Sequence, residues 1–306
     1  MPEKHARVGA VMLTWNQREM TLAGLESLSK LHSPVPEILL VDNGSFDGTI
    51  DAVKERFPQV KILGLPENIG FCAANNRGAD LLLKNPEIEY IIFLNNDIEI
   101  APNAINLLTR FMDSRPEAAV CGPLIYYHEP SDIIWAAGGK IYSDLMWFPP
   151  NLRGKKNPGL RKPRQVDYIH GCSIMLRRSA IQEHGLFDER LFIYHDEIDL
   201  CHRLKLAGNE IWLIPESVLF HKVSLAVGQH SPMMIYYTAR NKILFWAKHG
   251  KISDLPKFYA FHLLKLIRIF SKVRNIWAYP ALFKALFDAV TSRFGKGHLE
   301  NRPKTK

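Results

Sequence analysis

Asn95, Asn96 and Asp97 close the run Tyr90–Leu94, a stretch with the character of a strand buried in the middle of a sheet. Three oxygen-bearing side chains at that point can be the start of a turn ahead of Pro102. They can also serve a hard cation. Mg²⁺ and Mn²⁺ prefer oxygen ligands, and a protein need supply only one or two when phosphates complete the shell. In that reading Asp97 is the anionic ligand and Asn95 a neutral neighbour. A second cluster is Asp196, Glu197 and Asp199. Acids in the first turn of a helix are favoured by the macrodipole, and Asp199 can pair with Arg203 four residues on. That account covers Asp199. It is weaker for adjacent Asp196 and Glu197, which repel each other, and a carboxylate at the mouth of a site is a natural general base for a hydroxyl acceptor.

Three further stretches carry chemistry-bearing residues. In "VDNGSFDGT", Asp42 ends a strand-like run, and Asn43-Gly44 reads either as a turn or as the place where Asp42 accepts hydrogen bonds from a base or ribose. In "ENIGFCAANNRGAD", Asn68, Gly70, Asn75, Asn76 and Gly78 are a poor composition for a helix that merely packs. A helix N-terminus with glycine nearby can bind an anion through backbone N–H groups, and Arg77 can add a charge-assisted contact. His221 follows an apolar strand. A lone histidine is more often packed or exposed than a ligand, and only a metal site elsewhere in the chain reverses that.

The elements that must position these residues follow a rhythm. Apolar, β-branched runs begin at Val8, Glu37, Val60 and Tyr90, with helix-like spacing over Arg18–Lys30, Asp47–Phe57 and Cys72–Lys84. Strand–helix–strand repeats of this kind predict βαβ units and a mainly parallel sheet, with ligands at the carboxyl ends of the strands. Thr14-Trp15-Asn16, Asp42-Asn43-Gly44 and Asn95-Asn96-Asp97 all fall at such ends. The middle is less regular: Pro149–Arg164 holds four prolines, two glycines, six Lys/Arg and no acid, and reads as a mobile basic loop. Beyond it "VDYIHGCSIMLRR" and "NEIWLIP" read as strands and "HDEIDLCHRLKLAG" as a helix. From Ser231 the pattern turns helical. In "LPKFYAFHLLKLIRIFSKVRNIW", Lys257, Lys265, Arg268, Lys272 and Asn275 fall on one narrow stripe opposite an apolar face.

Composition narrows the partners. The 306 residues carry 39 Lys+Arg against 31 Asp+Glu, an excess that favours anionic partners. Cys72, Cys121, Cys172 and Cys201 form no C-x-x-C pair, which argues against a zinc knot or a disulfide scaffold and fits a reducing cytosol. No signal-peptide pattern or apolar stretch of transmembrane length is visible, so a cytoplasmic protein is expected. Dinucleotide, P-loop, H-E-x-x-H and G-x-S-x-G motifs are all missing, and no nucleic-acid motif accompanies the basic charge.

Taken together and in order, these segments resemble the family-2 inverting glycosyltransferases of the GT-A fold, nearest to rhamnosyltransferase-like members. "VMLTWNQREMTLAGLESL" is similar to their first strand and helix, "VDNGSFDGT" to the base-contacting segment, and "ENIGFCAANNRGAD" to an E-N-x-G-F-x-x-x-N-x-G block. "FLNNDIEI" takes the place of the metal-binding D-x-D, as Asn95-x-Asp97. "FDERLFIYHDEIDLCHRLKLAG" resembles the segment that supplies the base. "FHKVS" is similar to the segment whose histidine reaches the metal, and "YYTARN" to a Y-Y-x-x-R-N element. Two departures stand out: Asn95 replaces an acid, and the usual Glu-Asp order is inverted, so the base position falls on Glu197, with Asp196 in reserve.

The resemblance implies a GT-A α/β domain over residues 1–230 and a C-terminal amphipathic helical region over 231–306. It implies a nucleoside-diphosphate sugar donor held by Thr14, Trp15, Asn16, Asp42, Asn68, Gly70, Asn75, Asn95 and Asn96, with Mg²⁺ or Mn²⁺ on Asp97 and His221. His170, Gly171, Cys172, Arg240 and Asn241 fall on the acceptor side. The nearest members imply dTDP-rhamnose and an acceptor that is a surface glycan or is linked to a polyprenyl diphosphate. The basic loop and the C-terminal stripe fit contact with the inner membrane face; packing of that stripe on the catalytic domain or a second subunit is the competing expectation. A nucleotidyltransferase and a degenerate sugar- or nucleotide-binding module remain as other readings, the first without its Gly-rich loop after strand one.

Overall fold

The computed structural model describes residues 7–32, 36–222, 231–258, 260 and 278–297. The first third is a run of βαβ units: β1 (Val8–Thr14), α1 (Arg18–Leu28), β2 (Glu37–Asp42), α2 (Thr49–Arg56), β3 (Lys61–Gly64), α3 (Phe71–Leu82) and β4 (Tyr90–Asn95). These strands pair in parallel in the order β3-β2-β1-β4. Alternate residues explain the continuous apolar runs. Val11, Leu39, Val41, Ile91 and Phe93 join one core with α3, while Ala10, Met12, Leu40, Ile92 and Leu94 join another with α1. Successive side chains of a strand point to opposite faces, so a strand covered on both faces must be apolar throughout. Gly78 lets α3 approach the sheet: a Cβ there would lie 2.7 Å from Val11 Cγ1 and 2.8 Å from Val41 Cγ2.

The rest extends the same sheet. In chain order come β5 (Ile98–Ile100), α4 (Ala104–Ser114), β6 (Ala118–Tyr127), β7 (Ile134–Ala136), β8 (Arg164–Gln165), β9 (Ser173–Arg177), α5 (Arg178–His184), α6 (Asp196–Leu206) and β10 (Glu210–His221). The sheet order is β3-β2-β1-β4-β9-β6-β10-β5, with β7 on β6 and β8 on β10. β9 is antiparallel to β4, so its N-terminal end meets the carboxyl end of β4. The two expected pieces "NEIWLIP" and "SVLFH" are one strand, broken in register between Ile214 and Val218. Pro215 has no N–H for the ladder, which accounts for the interruption.

Helix α7 (Pro232–His249) starts as the sequence predicts, with the Ser231 hydroxyl accepting from Met234 N and Pro232 in the first turn. Helix α8 (Ala278–Val290) packs on it, buried Ala281 and Ala285 lying beside Tyr236 and Tyr237. Tyr236 Oη donates to Asp288 at 2.6 Å. The segment after α8 then returns to the first 230 residues: Gly295 N donates to Arg190 O, and Lys296 pairs with Glu67. Most of the expected basic stripe, from Lys265 to Asn275, lies outside the described residues. Among those described, no helix is long and apolar enough to cross a membrane.

Candidate active site

Strand register brings the first set of residues to one edge. Thr14 pairs with Asp42, and Leu13 with Asn95. On β10, His221 pairs with Ile98, just beyond Asp97. Cys172 O accepts from Asn95 N, so the segment His170–Cys172 opens at this edge too. A Cβ on Gly171 would lie 3.4 Å from Asp196 Oδ2 and 3.7 Å from Glu197 Cβ. The carboxyl edge of the sheet thus carries Asp42, Asp97, His221 and the start of α6 in one row.

At the nucleotide end of the row, Asp42 is buried. One of its oxygens accepts from Ser45 N, and the other, Oδ1, has no partner. Trp15 and Phe46 expose their rings nearby on the loops after β1 and β2. Asn16 is held in the left-handed region, its amide oxygen accepting from Phe46 N. Other residues assigned to the nucleotide sugar brace this corner instead. Asn96 Nδ2 lies 3.3 Å from Thr14 Oγ1 and 3.0 Å from Thr21 Oγ1, inside the core. Asn68 Oδ1 accepts from Asn43 Nδ2 and Gly70 N. Asn75 donates to Phe71 O, leaving its buried carbonyl oxygen without a partner. Asn95 is half-buried at the end of β4.

Asp97 and His221 form the next corner. His221 Nε2 is 3.2 Å from Asp97 Oδ1, yet the pair is not aligned as a hydrogen bond. Both carboxylate oxygens and both ring nitrogens are therefore buried and unpartnered. Leaving such an atom unmade costs about 1–3 kcal/mol, so four together call for a group that is to be bound there. A carboxylate and an imidazole suit Mn²⁺ or Mg²⁺. Among the described residues no cluster of three or more His, Cys, Asp or Glu is placed to hold a metal. Two protein ligands fit a cation whose remaining positions are filled by phosphate.

Beyond them stands a group that sequence reasoning did not pick out. Trp135 from β7 lies with its ring centroid 4.2 Å from that of His221, and the Arg153 guanidinium sits 4.6 Å over the indole. Arg153 Nε donates to Trp135 O, and Nη2 to His170 Nε2 at 3.2 Å. Burial, together with Arg153 and His221, pushes His170 down to about 3, so it stays neutral with its proton on the unpartnered Nδ1. Composition marked Arg153 as basic, but nothing in the sequence pattern aims it inward. Burial raises the Cys172 thiol well above its usual range, and Asp97 and Glu197 raise it further, so it is no nucleophile.

Helix α6 presents the carboxylates. Burial raises Asp196 and Glu197 well above the ordinary range, and the charge of Asp196 raises Glu197 further. Asp199 behaves oppositely: burial works against its ionised form, but His249, Lys248 and Arg203 hold it down to about 2. The turn before α6 is strained, with Phe192, Tyr194 and His195 all at positive φ. Each such non-glycine residue costs on the order of 1–3 kcal/mol and needs its surroundings to impose it. Gly70, at φ +96, provides room on one side: a Cβ there would lie 2.4 Å from the Phe192 ring. Arg240 and Asn241, expected on the acceptor side, are placed otherwise. Both are fully buried, with their donors spent on backbone carbonyls of this turn and of Gly295. A side chain enclosed in this way has nothing left to offer an acceptor.

Residues 10–185 match the family model described as glycosyl transferase family 2. The N-acetylglucosaminyl-diphospho-decaprenol L-rhamnosyltransferase of Mycobacterium tuberculosis is 30% identical over 234 residues, 67% of this chain and 72% of that relative. The dTDP-rhamnosyl transferase RfbF of Shigella flexneri is 24% identical over 262 residues, 80% of this chain and 81% of that protein. Among solved structures, the mannosyltransferase PcManGT from Pyrobaculum calidifontis, in complex with GDP-Man and Mn²⁺, superposes with a TM-score of 0.58 at 17% identity. That match covers 96% of this chain and 77% of the other, and it shows the shared GT-A fold. The chain belongs to glycosyl transferase family 2. It is a rhamnosyltransferase-like glycosyltransferase. The family match ends before α6, so the carboxylate pair rests on the residues themselves.

Proposed function

We propose that this glycosyltransferase moves a sugar, with inversion, from a nucleoside-diphosphate donor to a hydroxyl of a glycan carried on a polyprenyl diphosphate, with dTDP-rhamnose as the donor. The observation that carries the reading is the row of buried polar atoms without hydrogen-bond partners at one sheet edge, Asp42 Oδ1 followed by Asp97 and His221, with the Glu197 carboxylate beyond them. The rhamnosyl donor and the lipid-linked acceptor are supported by the names of the two relatives.

In this reading Asp42 accepts from the base or ribose, with Trp15 and Phe46 at the mouth. Asp97 and His221 would hold Mg²⁺ or Mn²⁺. When bound, the cation supplies positive charge to the leaving group. Arg153 adds a second positive charge near the diphosphate. Glu197, its basicity raised by burial, takes the proton from the acceptor hydroxyl as that oxygen attacks the anomeric carbon. The new glycosidic bond forms on the face opposite the diphosphate. The bond to the leaving oxygen breaks with its electron pair, and nucleoside diphosphate departs. His170, Gly171 and Cys172 border the acceptor side, with Gly171 against the start of α6.

The test is thermal-shift binding of dTDP-, UDP- and GDP-sugars with and without Mn²⁺, followed by transfer to a polyprenyl-diphosphate-linked acceptor. A Mn²⁺-dependent rise in midpoint with dTDP-rhamnose, and transfer of rhamnose, is the expected result. A rise confined to another nucleotide overturns the donor assignment, and transfer only to acceptors without the lipid diphosphate overturns the acceptor.

A further inference from the structure

Resting on the reading of Glu197 as the base, we infer that Arg240 and Asn241 are positioning residues for it: a two-residue clamp on α7 that imposes the turn from which α6 presents Glu197. Asn241 Nδ2 lies 2.9 Å from Leu191 O, 2.8 Å from Ile193 O and 2.9 Å from Tyr194 O. Carbonyls of a strand alternate in direction and those of a right-handed helix run parallel, so three from one short stretch converge on a point only in an irregular turn. That turn is the one with Phe192, Tyr194 and His195 at positive φ. The amide and the unusual backbone require each other.

Arg240 sets the amide. Its Nε and Nη2 donate to Asn241 Oδ1 at 3.1 and 3.0 Å, which leaves Nδ2 facing the turn. Nη2 also reaches Arg190 O and Leu191 O, and Nη1 reaches Gly295 O at 2.7 Å. The guanidinium is 0% exposed, yet its hydrogen bonds go to backbone, amide and Tyr236 hydroxyl oxygens and to no carboxylate, while Tyr236 and Tyr237 offer ring faces at 5.3 and 4.8 Å. A buried cation without a carboxylate is a costly way to gain stability, and apolar residues would fill the space better. What it provides is one conformation for the turn. From the other side Phe192 O accepts from Cys72 N at the start of α3, and the Phe192 ring stacks on Tyr237 at 5.1 Å. The helical region after residue 231 thereby becomes part of the catalytic apparatus.

The test is a double-mutant cycle on the full chain with Asn241→Asp, which keeps the shape and removes both donors, and Glu197→Gln. The clamp predicts that Asn241→Asp lowers kcat about 100-fold, the cost of a misplacement near 1 Å, with donor KM and the nucleotide-dependent thermal shift unchanged. It also predicts that Glu197→Gln costs far less in the Asn241→Asp background than alone. Arg240→Lys, which keeps the charge but loses the fork, carries the same cycle if Asn241→Asp does not fold. Tyr90→Phe, which loses the bonds to Asp113 and Arg177 at the end of β4 remote from the site, is expected to lower Tm without lowering kcat. An unchanged kcat in Asn241→Asp, or equal costs of Glu197→Gln in both backgrounds, overturns the clamp alone. A wild-type chain whose transfer is indifferent to Glu197→Gln overturns the reading of the base and the clamp with it.

Discussion

Two corners of the site are built in opposite ways. Around Asp97 and His221, four buried polar atoms have no hydrogen-bond partner. Around the turn before Glu197, Arg240 and Asn241 direct their donors to the carbonyls of residues 190, 191, 193, 194 and 295. An unmade hydrogen bond in the interior is expensive, so four clustered together call for something to be bound. A surplus of hydrogen bonds around strained backbone marks the reverse case, a group whose place is decided before the substrate arrives. The first corner is a receptor and the second is a mount, and substitutions in them should separate stability from activity in opposite directions.

The largest expected effect is at the mount. Glu197→Gln should lower kcat by about 10³-fold while leaving nucleotide binding intact, because it removes general-base catalysis and little else. Initial rates at saturating donor check this. The pH profile sharpens it. A carboxylate raised by burial and by Asp196 is protonated, and idle as a base, until the pH climbs above the ordinary glutamate range, so the acid limb of kcat should lie above that range. Asp196→Asn removes the neighbouring charge and should move the limb to lower pH. A limb that stays in place assigns the titration to another group.

Next comes the receptor corner. Asp97→Asn should abolish the Mn²⁺-dependent part of the thermal shift given by the nucleotide sugar, with kcat/KM falling by about 100-fold or more. In the absence of ligand, however, it should leave Tm unchanged or raise it, since it removes a buried carboxylate that accepts no hydrogen bond. A fall in Tm comparable to that of a core substitution would erase the contrast between the corners.

Much of this arrangement was legible in the sequence, for identifiable reasons. β1, β2 and β4 are covered on both faces and therefore spell nearly continuous apolar runs. The polar residues at their carboxyl ends stood out because a buried strand has no other use for them. β6 escaped because Gly122 and Pro123 interrupt it, and β5 and β7, three residues each, are too short to show a period. Arg153 was visible only as one cation in a basic loop, because loop geometry has no periodicity to read. Arg240 and Asn241 could be typed but not aimed: a motif gives the donors and not the carbonyls they meet. The strained turn was the least legible of all. Phe192, Tyr194 and His195 carry no turn signal, and their positive φ is imposed by contacts with residues some fifty positions later in the chain.

The three acids of α6 bring the same contrast within one turn of helix. Asp199 is ion-paired to Lys248 at 2.6 Å, to His249 at 2.9 Å and to Arg203 at 3.0 Å. It is held down to about 2 in the folded chain, so its contribution is fully present above the unfolded carboxylate value and is lost as pH falls toward 2. Asp199→Asn should therefore cost about 2 kcal/mol at neutral pH, read from urea unfolding, and the difference from wild type should shrink in acid. Asp196 is raised instead, so ionising it costs stability as pH rises, and Asp196→Asn should stabilise the chain at neutral pH and above. Destabilisation by both substitutions would mean that the backbone hydrogen bonds to Asp196 outweigh the cost of its burial, and the mount would extend to it.

The smallest effect concerns the residue that departs from the family's acid. Asn95 is half-buried at the end of β4, two residues before Asp97, and its backbone N–H is spent on Cys172 O. Its position at the end of β4 puts an amide in the sequence place where the resemblance calls for an acid. Affinity of an oxygen-ligand site for a divalent cation rises with the number of its anionic ligands. Asn95→Asp should tighten Mn²⁺ binding in the presence of the nucleotide by about tenfold, which is the effect of about 1.4 kcal/mol. It should also lower Tm slightly without the metal, by placing a second carboxylate beside Asp97 and His221. Titration calorimetry of Mn²⁺ into the nucleotide-saturated protein reads the first effect and a thermal scan the second. If affinity does not change while Tm falls, the residue 95 side chain faces away from the cation, and the receptor consists of Asp97 and His221 with the donor's phosphates alone.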